Sequence, residues 1–179
     1  MTAGRHALAV ICCVVCGVAL NWAVAGTTKK RHQHGAHVHG TAAVSIAIDG
    51  QTATIEFTAP ADGVVGFEHQ AKSAADRARQ AKALDLLRDH MDNMVVLDPT
   101  LGCRFSPMSV EVVQQDTEHA EVHGTFAVSC QKPLPGSKMR FGFTKTFPGI
   151  QTVTVQLLGA TQQAGASIKR DQGELEVPR

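Results

Sequence analysis

Two alternating apolar runs on either side of an Asp-Gly pair constrain the fold of this chain most. In residues 41–48, apolar Val44, Ile46 and Ile48 occupy every second position, the pattern of a strand with one face in a core. Asp49-Gly50 is a turn pair that favours a two-residue hairpin loop, and residues 52–57 supply a returning strand. The sequence therefore predicts an antiparallel sheet that begins with a hairpin and passes into a loop at 60–63.

The rest of the chain adds short strands and one helix. Ser73 opens a helix, with Asp76 three residues later in the arrangement of a capping box. Its predicted buried stripe is Ala74, Ala78, Ala81, Leu84, Leu87 and Met91. The further predicted strands are 109–113, 121–130, 139–144, 152–158 and 174–177. This pattern predicts an α+β, mostly β fold, with a small antiparallel sheet or sandwich-like domain and one amphipathic helix.

The N-terminus has the pattern of an export signal. Arg5 precedes an apolar run over residues 7–20, and Ala23-Val24-Ala25 offers small residues to a signal peptidase. The run is short for a membrane span, so we expect cleavage after Ala25, a periplasmic location and no stable membrane insertion, although a retained segment stays open. The predicted organisation is a signal peptide at 1–25, a His-rich arm at 26–40 and one domain at 41–179.

Five cysteines reduce to one pair in the exported chain. Three lie inside the predicted signal peptide, which leaves Cys103 and Cys130. An isolated pair in an oxidising compartment most simply forms one disulfide. Two free thiols, or a pair of zinc ligands, are the alternatives.

A histidine-dense stretch suggests metal binding. Four of the nine histidines fall between residues 32 and 39: His32, His34, His37 and His39. Neutral imidazole is a common ligand of zinc and copper, and a segment this polar has little to contribute to a core. If the first strand extends backward, His37 and His39 share the face opposite Val38. The alternative is a disordered polar arm in which histidine is merely tolerated.

A second candidate group lies on the strand predicted at 121–130. His119, Glu121 and His123 would project to one side, while Val122, Phe126, Val128 and Cys130 project to the other. Three ligands of zinc type on one face can form a site, although solvent-facing polar residues on a half-buried sheet would look the same. Glu68-His69, between strand and helix, is a third candidate.

Several function classes find no support in the sequence. Loss of the predicted signal removes one basic residue, Arg5, so that sixteen basic residues balance sixteen acidic ones, which argues against nucleic acid as a partner. The chain has no HExxH, G-x-S-x-G or phosphate-binding glycine motif. We therefore expect a binding protein and no enzyme, with a zinc hydrolase as a remote alternative.

The order of several motifs resembles the ZrgA family of periplasmic zinc-binding proteins. The resemblance rests on His34-Gly35-Ala36-His37-Val38-His39-Gly40, Pro60, Val65-Gly66-Phe67-Glu68-His69, the Ser-capped helix, Gly102-Cys103, the His119 strand ending at Cys130, and Phe147-Pro148-Gly149 followed by Val153-Thr154-Val155-Gln156. It implies zinc binding linked to zinc uptake in the periplasm of Gram-negative bacteria. Family members often carry a long His/Asp/Glu-rich insertion before the His119 strand, whereas only four residues separate Val113 from Glu118 here. Zinc binding would then depend on the histidines of the arm and on the candidate ligands of the domain.

These observations predict a periplasmic protein that captures or buffers Zn²⁺ in support of zinc uptake. We expect the tightest site at His119 and His123 and weaker binding by the arm. The expected partners are Zn²⁺ and a zinc transporter component or another periplasmic metal-binding protein. A copper- or nickel-binding protein, and a non-metal structural module with incidental histidines, stay open as alternatives. The candidate ligands are His32, His34, His37, His39, Glu68, His69, His119, Glu121 and His123.

Overall fold

The structure is a computed structural model that describes residues 38–179. The predicted signal peptide and the arm histidines His32, His34 and His37 lie outside these residues. Within the described part, no helix is both long and apolar enough to cross a membrane.

The described chain forms a large sheet, a small sheet and short helices. The strands are β1 (Thr41–Asp49), β2 (Thr52–Pro60), β3 (Val95–Leu97), β4 (Arg104–Gln114), β5 (Ala120–Ser129), β6 (Lys138–Phe141), β7 (Thr152–Leu158), β8 (Gln163–Lys169) and β9 (Glu174–Glu176). The helices are α1 (Ala61–Val64), α2 (Ala74–Asp89), α3 (Met91–Met94) and α4 (Phe143–Thr146), with a 3₁₀ turn at Pro99–Leu101. The large sheet has the order β4-β5-β2-β1-β7-β8 and the small sheet the order β3-β6-β9. Every pairing is antiparallel except the parallel pair β1–β7. The predicted α+β, mostly β fold is therefore confirmed.

The predicted hairpin is present, with its loop shifted by one residue. Asp49 pairs with Thr52 as the last rung of β1 and β2, so the two loop residues are Gly50 and Gln51. Gly50 has a φ of +56°, in the left-handed region that glycine enters at little cost. Ile46, on the predicted apolar face of β1, is fully buried.

The other predictions succeed unevenly. Parts of β4, β5, β6, β7 and β9 were predicted, but the run at 139–144 turns into α4 after Phe141, and the expected loop at 60–63 is the one-turn helix α1. Strands β3 and β8 were not predicted.

Helix α2 begins at the predicted capping box and buries part of the predicted stripe, since Leu87 is buried and Leu84 packs against the core. The Asp76 amide donates to Ser73 Oγ, and the Asp76 carboxylate accepts from the Ser73 amide. The buried residues of α2 are Ala83 and Leu87, while Ala74, Ala78 and Ala81 are exposed. That part of the predicted stripe is wrong because only the C-terminal half of α2 packs on the core. Met91 is buried, but it belongs to α3.

The predicted disulfide is also confirmed. Cys103 and Cys130 are bonded, at a sequence separation of 27 positions. Cys130 is 7% exposed, as expected for the core-facing side of its strand. The bridge joins the beginning of β4 to the end of β5, at the end of the sheet opposite the candidate site described below.

Candidate metal centre

One end of the large sheet gathers three connections. The register pairs Thr41 with Thr152, Pro60 with Glu121, and Gln114 with Ala120. The chain before β1, helix α1 after β2, and the β4–β5 loop therefore lie side by side at this end. Side chains from distant parts of the sequence can meet here.

A tight turn places His39 at this end. The Thr41 amide donates to the Val38 carbonyl, and the Gly40 carbonyl accepts from the amides of Gln151 and Thr152. Gly40 has a φ of +76°, so the extended conformation stops before Thr41. The first strand does not extend backward through His39, and Val38 is 63% exposed. The predicted shared strand face is therefore replaced by a turn at His39.

His39, Asp62 and Glu68 form a three-residue cluster at this end. Nδ1 of His39 lies 2.7 Å from Asp62 Oδ2 and 3.9 Å from Glu68 Oε1. Within residues 38–179, this is the one group of three His, Cys, Asp or Glu residues whose ligand atoms all lie within 4.8 Å of one another. We call it the His39 centre. The Glu68 side chain is 9% exposed, whereas that of His39 is 67% exposed. The centre is therefore buried on the side of Glu68 and open to solvent on the side of His39.

The electrostatics of the His39 centre favour a bound cation. Asp62 Oδ1 and Glu68 Oε1 are buried and have no hydrogen-bond partner among the described residues. Burial, and next the negative charge of Asp62, raise the pKa of Glu68. The hydrogen bond to Asp62 raises the pKa of His39. Two carboxylates close together with unsatisfied oxygens are costly unless a positive charge joins them.

His119 stands in the β4–β5 loop next to this centre. Its Nδ1 lies 3.0 Å from both carboxylate oxygens of Asp116. The side-chain amide of Gln114 lies within hydrogen-bonding distance of the carbonyl oxygens of Glu68, Asp116 and His119, at 2.9, 2.7 and 3.1 Å. The backbone of the His119 loop is thus tied to the backbone that carries Glu68.

The other predicted ligands of β5 form a separate pair. His123 Nε2 lies 2.9 Å from Glu121 Oε2, which also accepts from the Gln115 amide at 3.1 Å. Both face away from the core, as predicted, while Val122, Phe126, Val128 and Cys130 are buried. His119 precedes the strand. The predicted set of His119, Glu121 and His123 does not bring its ligand atoms together as the His39 centre does.

His69 also points elsewhere. Its ring stacks on Phe67, with centroids 4.6 Å apart and planes 13° apart. Its Nδ1 donates to the Gln70 carbonyl at 3.1 Å, because a carbonyl oxygen can only accept. Of the adjacent predicted ligands Glu68 and His69, the structure places only Glu68 in the cluster.

Asp62 is the member of the cluster that sequence reasoning missed. It lies in α1, in a segment interpreted as a loop. The hint available was its position just after a strand paired with the strand that follows His39. Because β1 and β2 form an antiparallel hairpin, the end of β2 lies beside the beginning of β1, and Asp62 therefore comes close to His39.

Comparison with known proteins identifies the family of this chain. Residues 36–177 match the family model of the ZrgA family zinc uptake protein. No curated protein matches the chain. The match spans the His39 centre, the β4–β5 loop and the disulfide, and it supports a role in zinc uptake. The chain belongs to the ZrgA family of zinc uptake proteins.

Proposed function

We propose that this protein binds Zn²⁺ at the His39 centre and captures or buffers the ion in the periplasm in support of zinc uptake. The observation that carries the proposal is the convergence of two carboxylates on an exposed imidazole, each carboxylate having a buried oxygen without a hydrogen-bond partner among the described residues. Membership of a zinc uptake family supports zinc as the ion. The role proposed is binding rather than catalysis.

The distances are suited to a small ion. Zinc bonds to histidine nitrogen and carboxylate oxygen are about 2.0–2.2 Å long. Ligand atoms around a tetrahedral zinc ion therefore lie about 3.3 Å apart. The separations of His39 Nδ1 from Asp62 Oδ2 and Glu68 Oε1, 2.7 and 3.9 Å, lie on either side of that value. Small side-chain rotations would bring all three atoms to one ion.

The donor set narrows the choice of metal. Mg²⁺ and Ca²⁺ prefer all-oxygen sites, whereas the imidazole of His39 favours zinc, copper or nickel. The cluster contains no sulfur ligand, so Cu(I) has little to bind. Cu²⁺ and Ni²⁺ are the competing ions, and a metal competition titration separates them from Zn²⁺.

Zinc titration with a competing chelator, on the chain that begins at residue 26, tests the site. We expect His39→Ala and Glu68→Ala to weaken the tightest zinc site by more than the roughly 10–100-fold that follows loss of a residue orienting a ligand. His90→Ala and Glu56→Ala are the matched controls, because both residues are exposed and lie outside the cluster. Unchanged zinc affinity in both centre variants would refute the proposal.

Export is tested separately. The basic start, apolar run and small residues before position 26 support secretion and cleavage after Ala25. Expression of the full chain in a Gram-negative host, followed by fractionation, should recover the protein in the periplasm with Gly26 as its first residue. Recovery of uncleaved protein in the cytoplasm would contradict the proposed location.

A further inference from the structure

We propose that Asp116 is a positioning residue that holds His119 as a fourth ligand of the zinc ion at the His39 centre. This inference rests on the proposed function. It assigns Asp116 a role through His119, with no zinc contact of its own.

The Asp116 carboxylate fixes both the position and the tautomer of His119. Asp116 Oδ1 accepts the backbone amides of Glu118 and His119, each at 2.8 Å. Both carboxylate oxygens lie 3.0 Å from His119 Nδ1. The Asp116 carboxylate is the acceptor in each of these hydrogen bonds. Because Nδ1–H donates to it, the neutral ring carries its lone pair on Nε2, the atom that would bind metal.

The loop that carries His119 lies against the His39 centre. The Gln114 side chain reaches the carbonyl oxygens of Glu68 and His119 from a single nitrogen, so these two backbone segments are direct neighbours. The His119 ring itself lies outside the group whose ligand atoms are all within 4.8 Å of one another, so it would move toward the centre when it binds the ion.

A fourth ligand is what the chemistry of the centre lacks. His39, Asp62 and Glu68 supply three donors, whereas protein zinc sites are most often four-coordinate. A histidine that donates its other ring N–H to a carboxylate is the common arrangement at such sites, and loss of the carboxylate typically weakens metal binding 10–100-fold. The Asp116–His119 pair has this form.

A double-mutant cycle on zinc affinity tests the role. Asp116→Asn keeps an oxygen that can accept the two backbone amides but removes the charge. We expect it to weaken zinc binding about 10–100-fold in the otherwise unchanged chain. In a His119→Ala background the same substitution should change zinc affinity less than about twofold, because residues that act through one partner are not additive.

Two further measurements separate positioning from a structural role. With Co²⁺ as the probe, His119→Ala and Asp116→Asn should alter the visible absorption of the bound ion, which reports its ligands and coordination number. Nitrogen-15 shifts of the zinc-free protein should show that the ring proton of neutral His119 moves in part from Nδ1 to Nε2 in Asp116→Asn. Asp98→Asn is the matched control, since Asp98 also accepts a backbone amide in a turn but lies outside the cluster.

Each outcome decides between the two proposals. If Asp116→Asn weakens zinc binding equally with and without His119, Asp116 acts through the loop and the positioning role is wrong. If His119→Ala leaves zinc affinity and the Co²⁺ spectrum unchanged while His39→Ala abolishes binding, the fourth ligand is wrong and the His39 centre stands. If neither His39→Ala nor Glu68→Ala affects binding, the centre itself is wrong.

Discussion

Gly149 supports the helix that carries Asp62, so that a single added methyl group should disturb both stability and zinc binding. A Cβ at position 149 would lie 2.7 Å from the carbonyl oxygen of Gly63 and 2.9 Å from its Cα. These are backbone atoms of α1, next to Asp62, and they cannot rotate away as the end of a side chain can. The substitution Gly149→Ala must therefore move α1 or the segment before β7.

The size of the effect follows from these contacts. Restoring an ordinary separation of 3.4 Å requires a backbone shift of about 0.7 Å, more than the roughly 0.5 Å within which the ligands of a site must be held. Overpacking of this kind costs about 1–3 kcal/mol in the free energy of unfolding. For a domain of this size that corresponds to a fall in Tm of about 2–12 °C. Zinc affinity should fall as well, because Asp62 moves with α1.

Thermal unfolding of the zinc-free protein and zinc titration of the folded protein measure the two effects. Gly63→Ala is the control on the opposite side of the same contact. Its added Cβ would meet Ile150 Cγ1 at 3.5 Å and the Gly149 carbonyl oxygen at 3.8 Å, which are ordinary distances. We expect this control to be neutral or stabilising by up to about 1 kcal/mol. Equal Tm and zinc affinity in Gly149→Ala and the unchanged chain would refute the argument.

Three further predictions follow from the centre and the disulfide. Because the pKa of Glu68 is raised, its ionisation destabilises the zinc-free fold as the pH rises, so Glu68→Gln should raise the Tm of the zinc-free protein at pH 7 and give no gain below about pH 4. The same variant should lose the stabilisation that zinc gives. A lower Tm at pH 7 would contradict this prediction. Since the pKa of His39 is raised above 6.5, the protonated imidazole stabilises the zinc-free fold below that pH, and its proton competes with zinc. As the pH is lowered, calorimetric titrations should show that zinc affinity begins to fall before pH 6.5 is reached. A fall that begins only near pH 5 would contradict this prediction. Replacing Cys103 and Cys130 by serine should lower the free energy of unfolding in urea by about 3–4 kcal/mol. Zinc affinity should stay unchanged, since the bridge is at the other end of the sheet. A loss of zinc affinity in this variant would contradict the prediction and would show that the two ends are coupled.

The elements that could be predicted from the sequence are strands in which large apolar residues alternate with polar ones. Ile46 in β1 and Phe126 in β5 each lie in a run with every second residue buried, and this period marks a strand wherever its partner lies. Strand β8 alternates as well, but Ala164 and Ala166 are small and only Ile168 is fully buried, so the apolar signal of its pattern is weak. It is a strand because β7 offers it an edge to pair with, which is a property of the tertiary structure.

The error in the stripe of α2 has a related cause. Alanine favours a helix at every position, but its small side chain does not report which face is buried. Ala78 and Ala81 keep helical spacing and are exposed, while Ala83 is buried. Which alanines pack is decided by where α2 meets the sheet, and the sequence period could not supply that position.

The metal centre shows the same division between local and long-range information. His39 and Glu68 were candidates because of their residue type, but their partner Asp62 was hidden because it lies 23 positions after His39 in the sequence. Glu121 and His123 do face away from the core, as predicted. The face on which a residue lies, however, does not show which loop from another part of the chain lies beside it. Joining His39 to Asp62 required the register of β1 with β2, and bringing His119 close required that of β2 with β5.

On the proposed function, zinc binding at the His39 centre would organise this end of the sheet. The carboxylates of Asp62 and Glu68 stand on the connection after β2, and His39 stands on the turn before β1. Without an ion, the burial that raises the pKa of Glu68 also opposes its ionisation. A dication between the two carboxylates removes that opposition and joins both connections in one site. If the His39 centre binds zinc as proposed, the structural cost of the zinc-free centre would contribute to its affinity, because the ion would supply the interactions that the zinc-free protein lacks.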